Sequence, residues 1–517
     1  MSARLDKGGI LIDRKRAVEF SFDGKRMLAL QGDTLASALL ANGQTLVGRS
    51  FKYHRPRGLI ASGPEEPNGL VSTGEKNSFE PNQRATTVEL FQGLKATSQN
   101  CWPSLGFDIG SLNSLVAALI PAGFYYKTFI HPRSAWKHLF EPIIRRAAGL
   151  GNPPRYPDLD RYEHFYCHTD VLVVGGGITG LTAAYQVGLS GAKTLLVEQA
   201  PFFGGRFITD VRDISGKAPE TWVEETLKAI EGLDNVRLKL RTVASGIFDH
   251  GFVLAYERIS DHTPRDGRPR HRLWKIRAKK IILASGAVER PLVFAGNDVP
   301  GVMLASAVRD YLKLYGVSPG DRTVIVTNND NAYRTAIELN AAGLSVPAIV
   351  DFRDQVSGDV VDRVRDLGIP LKIGKGVRGI NGRKAVRSIE ICSQTGEGAL
   401  EESIECDCIA MSGGWSPLVH LWSHCGGKLS WNEEKGIFVP DLMCAPSDDS
   451  GESFILPAGS ASGSFQNAGC QKDAIETALT TIESLGLKAK KIKPEKISYE
   501  YEEKLQLIIR GPNGSSH

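Results

Sequence analysis

The chain has 517 residues, 42% hydrophobic and 23% charged, the profile of a soluble globular protein with core enough for two to four domains. A net charge of +4 spread over that length gives no electrostatic footprint for nucleic acid or an anionic membrane surface. The first residues (MSARLDKGGILIDRKR) lack a signal core, the longest apolar run (114–126) is broken by Pro121 and Gly123, and eight scattered cysteines form no CxxC pair, so a cytoplasmic protein without a membrane span is expected.

Residues 1–100 come first. From Val18, two stretches of alternating apolar and polar residues flank Asp23-Gly24, and a helix starts behind Gly32-Asp33-Thr34. This strand–turn–strand–helix opening is that of a small ubiquitin-like or plant-type ferredoxin domain, so a ferredoxin-like (β-grasp) domain is expected. In a plant-type ferredoxin the following loop carries the thiolates of an iron–sulfur cluster. Here that loop (51–69, FKYHRPRGLIASGPEEPNG) has no cysteine, which excludes a cluster on ligand grounds. Its basic run, FKYHRPRG, reads equally as a site for phosphate or a partner's acidic surface and as a solvated loop.

Residues 101–165, rich in Pro and aromatics with helix-like sequence at 134–148, read as a packed connector ending at NPPRYP (152–157). His164-x-x-Cys167-His168 invites a metal reading, but it runs straight into a buried strand and no further ligands cluster near it.

The first dinucleotide-binding unit is expected over 166–316. DVLVVGGGITG (170–180) is a buried strand running into Gly175-x-Gly177-x-x-Gly180, and the amphipathic LTAAYQVGL follows at once. Such glycines let backbone approach a pyrophosphate, whose charge the helix N-terminus then stabilises. Ile178 and Thr179 complete the turn. A second strand, KTLLVE, ends at Glu198, placed to meet a ribose hydroxyl, with Gln199 beside it. Gly204-Gly205 suit close passage over the adenosine–pyrophosphate, and Arg206 reads as a bidentate phosphate partner or a surface ion pair. An antiparallel insertion precedes IILA, whose end at Ser285-Gly286 is a second backbone approach to the nucleotide.

Residues 317–430 repeat the strand–turn–helix–strand pattern, but the turn is Thr327-Asn328-Asn329-Asp330-Asn331-Ala332, without the glycine triplet. Asn places side chains where a pyrophosphate presses on the backbone, so a nucleotide fold with a decayed site is expected. IECDCIAMSGG (404–414) closes this unit, with Cys406 and Cys408 as core. Residues 431–495 return to the first unit through SFILPAGSASG (453–463), bringing Gly459 and Ser460 to the nucleotide, and a helix follows. The tail, 496–517, ends in GPNGSSH, expected to be disordered. No nucleophile–base set, paired-carboxylate site or metal cluster stands out, so no catalytic residue is assigned.

The strings at 30–68, WPSLGFD (102–108), AGFYYKTF (122–129) and TNNDNAYRTA (327–336) closely resemble the alpha subunit of heterotetrameric sarcosine oxidase, over about residues 10–490. The fold implied is α/β: a two-dinucleotide-binding, glutathione-reductase-type flavoprotein fold behind a cluster-free ferredoxin-like domain. The resemblance implies a subunit holding NAD, with FAD and a covalently attached FMN on a partner beta subunit, the FMN against this chain. Small gamma and delta subunits, or a separate folate-binding chain, complete the expected partners, and the substrate is sarcosine or another secondary or N-methyl amino acid. In the family the alpha subunit continues as a folate-binding domain, which nothing after residue 500 can form. Either another chain supplies that domain, or formaldehyde is released without folate capture, or this is a truncated product. Flavoproteins of this type usually follow the last glycine with Asp; Ser460 after Gly459 points to NAD, with FAD the alternative. Lys52, His54, Arg55 and Arg57 are candidates for the wall facing the partner's flavin. Two other readings stand beside this one: a stand-alone FAD-dependent NAD(P)H oxidoreductase, and a structural nucleotide-binding subunit with no electron path.

Overall fold

The computed structural model describes residues 3–119, 123, 131–147, 150–263, 267–394, 398–449 and 451–498. In the N-terminal module, β1 (Asp13–Phe22) and β2 (Lys25–Gln31) form a hairpin around Asp23 and Gly24, both at positive φ (49° and 78°), as a tight primed turn requires. Helix α1 (Leu35–Ala41) starts where the sequence places it, with Thr34 accepting the Ser37 amide in a capping box. All seven of its residues are buried, which makes it the plug of this small core. β3 (Leu70–Thr73), β4 (Glu80–Arg84) and β5 (Lys95–Ser98) complete a five-stranded sheet of order β2-β1-β5-β3-β4.

The connector differs from expectation. Its helical pieces at Arg133–Ala135, Trp136–Phe140 and Glu141–Ala147 are present, but Trp102, Phe107, Leu112, Leu115, Leu139 and Ile143 are exposed rather than packed. Apolar composition reads as core, whereas no described part of this chain covers these side chains. The AGFYYKTF string, apart from Gly123, and the tail beyond residue 498 lie outside the described residues. Among the described residues, no helix is long and apolar enough to cross a membrane.

The central sheet is built on β6 (Tyr162–Val174), helix α2 (Ile178–Gly188) and β7 (Thr194–Val197). Next come α3 (Pro219–Glu231), β8 (Val236–Lys239), β9 (Thr242–Phe248), β10 (Phe252–Arg258) and β11 (His271–Leu283). The order is β8-β7-β6-β11-β10-β9, parallel from β8 to β11 and antiparallel beyond, so the predicted insertion is a meander hung on a parallel half. Val171, Leu172 and Val173 are fully buried, as a strand covered on both faces must be, each contributing about 1.5–3 kcal/mol by burial. In β6, Cys167 points into the core while His164 and His168 face out, so these three cannot converge on one metal.

β12 (Ala287–Glu289) leaves this sheet, and β13 (Val302–Leu304) leads into α4 (Ala305–Tyr315). The second unit follows: β14 (Thr323–Thr327), α5 (Asn331–Ala341), β15 (Ile349–Asp351), β16 (Leu371–Ile373) and β17 (Cys408–Ser412), in order β13-β17-β14-β15-β16, all parallel. Cys406 and Cys408 are buried, and burial pushes both thiols up to about 12, so neither is a thiolate at neutral pH. β18 (Trp415–Pro417) pairs antiparallel with β12 and carries the chain back, β19 (Ile455–Pro457) joins β11 in the first sheet, and α6 (Asn467–Ser484) packs on α2.

Candidate functional site

The bend after β6 is shaped by contacts that only glycine permits. Gly175 sits at φ 105°, and a Cβ there would stand 2.2 Å from the Ala284 carbonyl oxygen at the end of β11. A Cβ on Gly180 would lie 1.7 Å from the Gly175 carbonyl oxygen, so α2 docks on the strand with no room for a methyl group. Gly177 differs: it is the N-cap of α2, and a Cβ there would find its nearest neighbour, the Gly204 carbonyl oxygen, 3.9 Å away. Above Gly177 the cradle is therefore open. The amides of Ile178, Thr179 and Gly180 open the first turn, where an α-helix supplies no acceptor of its own.

Of the other candidate residues, Gly204, Gly205, Glu198 and Gly459 meet at this bend. Gly204 forms a parallel bridge with Gly177 and donates its amide to Gly176 at 2.8 Å, and a Cβ on Gly205 would reach 3.3 Å from the Gly177 Cα. Gly286, at φ 79°, faces open space, while Ser285 Oγ donates to the Leu418 carbonyl at 2.7 Å. Gly459, at φ 62°, lies over α2 so closely that a Cβ would meet Thr179 Oγ1 at 2.2 Å. Ser460 follows it, with its hydroxyl 3.5 Å from Cys470 Sγ. Glu198 is buried, accepts the Gly176 amide at 2.6 Å and the Ala200 amide at 2.7 Å, and burial raises its carboxyl above the usual range. The Gln199 carbonyl accepts from Arg258 at 3.2 Å. Open backbone above Gly177, free helix amides and an acid at the strand end fit a dinucleotide's pyrophosphate and ribose.

Arg206 corrects the sequence reading. Its terminal nitrogens are taken by Asp210 (2.9 Å) and Asp310 (3.3 Å), and its guanidinium lies over the Trp415 ring at 4.5 Å, so the fork is not free to grip a phosphate. Burial alone would lower its pKa, but Asp210, Asp310 and Glu289 outweigh that and raise it. Arg309 adds a bond to Asp210 at 2.6 Å, and Asp310 also accepts Thr209 Oγ1 (2.8 Å) and Ser62 Oγ (2.7 Å). Sequence reasoning missed Glu289, Arg309, Asp310 and Trp415. The last three sit among ordinary helix and strand residues, and for Glu289 only the Glu289-Arg290-Pro291 break after the IILA strand marks its place.

The second turn is filled by its own side chains. Asn329 Nδ2 reaches Ser412 Oγ (3.0 Å) and Asn328 Oδ1 (3.1 Å), while Arg353 bridges Asp330 and Asp351 at 2.7 Å each and Tyr333 donates to Asp351 at 2.8 Å.

In the N-terminal module, His54 Nδ1 lies 2.6 Å from Asp108 Oδ2, joining the FKYHRPRG and WPSLGFD strings. A cavity of about 250 Å³ opens beside it, lined by Arg49, Tyr53, His54, Arg55, Asp298 and Arg383. Arg57 and Arg55 both face Asp298, the former in close contact. A wider groove of about 630 Å³, beside Asp170, Lys193 and Lys279, lies at the start of β7, the end of the sheet away from the cradle. Glu66, fully buried, accepts four backbone amides, from Ile60 (2.7 Å), Ala61 (2.7 Å), Asn68 (2.6 Å) and Gly69 (3.1 Å), and so organises the loop where ferredoxins hold their cluster.

Comparison with known proteins fits this geometry. A 2Fe-2S iron-sulfur cluster binding domain matches residues 15–101. Cys101 is the one cysteine in that span, and a cluster takes four protein ligands, so the residues present do not fit that group. The chain is 45% identical to sarcosine oxidase subunit alpha of Rhizobium meliloti (strain 1021), covering 96% of this chain and 49% of the relative. It is 34% identical to the same subunit of Corynebacterium sp. (strain P-1), covering 84% of this chain and 41% of the relative. The chain thus spans about half the length of the curated relatives it matches, and the resemblance read from its strings holds. L-proline dehydrogenase from P. horikoshii shares the fold at a TM-score of 0.62 and 19% identity, over 95% of this chain and 76% of that one. The pyridine nucleotide-disulphide oxidoreductase model matches residues 169–449, more than half of the chain, and the protein belongs to that family.

Proposed function

We propose that the chain is the dinucleotide-holding, alpha-type subunit of a multi-subunit flavin-dependent oxidoreductase that oxidatively demethylates sarcosine or a related secondary or N-methyl amino acid. The observation that carries the nucleotide assignment is the open backbone over Gly177, bridged to Gly204, with Gly459 against Thr179 in the same turn. NAD is the proposed occupant, because a serine hydroxyl at 460 brings no negative charge where a flavin-binding relative would present an acid. When bound, NAD supplies hydride-acceptor chemistry at its nicotinamide. The chain's own residues bind and orient: the first-turn amides of α2 hold the phosphates, and Glu198 positions the ribose. Oxidation of the amine is assigned to FAD and FMN on a partner beta subunit. The exposed apolar side chains from Trp102 to Leu115, beside Lys52 and Arg55, support a surface for that partner, whereas His54 is buried against Asp108 and Arg57 is held by Asp298. Small gamma and delta subunits or a separate folate-binding chain complete the proposed assembly.

The direct test is to purify the chain alone, denature it, and identify the released nucleotide by absorbance and mass. Colourless protein releasing NAD is expected. Correctly folded protein that is free of nucleotide, and takes none up, would sink the assignment, while yellow protein releasing FAD would transfer the site to flavin.

A further inference from the structure

His54 is only 9% exposed, yet its imidazole lines the cavity of about 250 Å³ in the N-terminal module. The ring is held rigidly. Asp108 faces Nδ1 at 2.6 Å, a Cβ on Gly110 would stand 2.4 Å from the ring, and the residue sits at φ 51°, where side chains are strained. Asp108 Oδ1 takes the Trp102 and Gly110 amides at 3.0 and 3.1 Å, so the carboxyl group acts as an acceptor and the proton of the 2.6 Å contact belongs to Nδ1. Nε2 is the ring nitrogen left for the cavity, with no partner among the described residues, and in the neutral ring it accepts a hydrogen bond.

The rest of the lining is cationic. Arg49, Arg55 and Arg383 face one lining carboxylate, Asp298, which is already in close contact with Arg57 and lies 3.8 Å from Arg55. Arg49 points three of its five N–H groups at carbonyl oxygens, those of Leu105 (3.0 and 2.6 Å) and His54 (3.1 Å). Burial pushes its guanidinium below the usual range, Asp108 pulls it back up, and the Arg383 charge adds to the fall. Ser111 and Ser114, also in the lining, spend their hydroxyl protons on the Asp108 and Ser111 carbonyls at 2.7 Å each, which leaves both oxygens as acceptors.

A ligand suited to this lining supplies negative charge to the arginines and a proton to Nε2. It is also small, since the cavity falls below the roughly 300–1,000 Å³ of sites for drug-sized molecules. Sulfate and simple carboxylates bring the charge without the proton, and a zwitterionic amino acid brings the proton without net charge. Hydrogen phosphate brings both. We propose that this cavity binds hydrogen phosphate, the arginines taking its charged oxygens and His54 Nε2 taking its O–H. The anion then ties the N-terminal module and the connector to the hairpin of Lys375–Gly382 and Val386–Ser393, whose turn carries Arg383. No covalent bond forms or breaks, and the proposal is independent of the dinucleotide reading of the cradle.

The test titrates inorganic phosphate and sodium sulfate into the full chain by calorimetry, at mildly alkaline pH where inorganic phosphate keeps one O–H. The wild type is expected to bind one phosphate, at least about tenfold more tightly than sulfate. Arg383 is exposed, so Arg383→Gln folds as the wild type does and is expected to weaken phosphate about fivefold. Asn tolerates the left-handed backbone, and His54→Asn is expected to shrink the preference for phosphate over sulfate to less than about threefold. Gly177→Ala, which fills the dinucleotide cradle, is expected to bind phosphate as the wild type does. No heat of binding up to about 10 mM phosphate, or sulfate bound as tightly as phosphate, overturns the proposal. So does wild-type phosphate affinity in Arg383→Gln, an undiminished preference in folded His54→Asn, or weakened phosphate binding in Gly177→Ala, which would move the anion to the cradle.

Discussion

Gly177 and Gly180 stand three positions apart in one turn and answer to different constraints. A methyl group on Gly180 would meet the Gly175 carbonyl oxygen, backbone against backbone, whereas one on Gly177 would enter open space. Gly180→Ala is therefore expected to lose about 1–3 kcal/mol or more of stability from overpacking. Gly177→Ala is expected to lose about 1 kcal/mol or less at this N-cap, yet to bind the dinucleotide at least about tenfold more weakly, because its methyl group occupies phosphate space. Thermal melts paired with nucleotide titrations check both, and a Gly177→Ala protein that binds normally would refute the cradle. At this scale the sequence is most readable where glycine spacing encodes close approach. It is least readable at Arg206, whose partner Asp310 lies 104 positions away in the chain. No local pattern reveals such a pairing.

Among the elements, the two strand–turn–helix units share a backbone plan and diverge in what fills the bend. The alternation and caps of β1, β2 and α1, and the apolar runs of β6, β7 and β14, specify those elements locally, so their order is legible. The connector misleads because an apolar pattern says that side chains seek cover, not whose cover they receive. In the second bend the Asn run is legible as side chains where the first bend has glycines, but the ion pairs of Arg353 with Asp330 and Asp351 need the fold to meet. Arg353→Leu would leave two buried carboxylates without their cation and is expected to cost about 3–5 kcal/mol in a denaturant titration. Its nucleotide content should stay at the wild-type level, since the cradle over Gly177 shares none of these side chains. Loss of nucleotide in a folded Arg353→Leu protein would show that the second bend takes part in binding.

On the scale of the molecule, exposed aromatic and aliphatic side chains from Phe51 and from Trp102 to Leu115 lie beside the basic Lys52–Arg57 loop. Apolar surface rimmed by charge marks an interaction site. The combined Lys52→Ala, Arg55→Ala and Arg57→Ala variant is expected to co-purify with less of the flavin-bearing partner and with less bound flavin. Normal flavin content and turnover in that variant would remove the loop from the proposed wall.

The Asp310 carboxylate has a consequence at this scale. One oxygen or the other holds Ser62 of the N-terminal module, Thr209, and Arg206 at the exit of the phosphate bend. The N-terminal module and the exit of the phosphate bend therefore share a single carboxylate, and replacing Asp310 would loosen both at once.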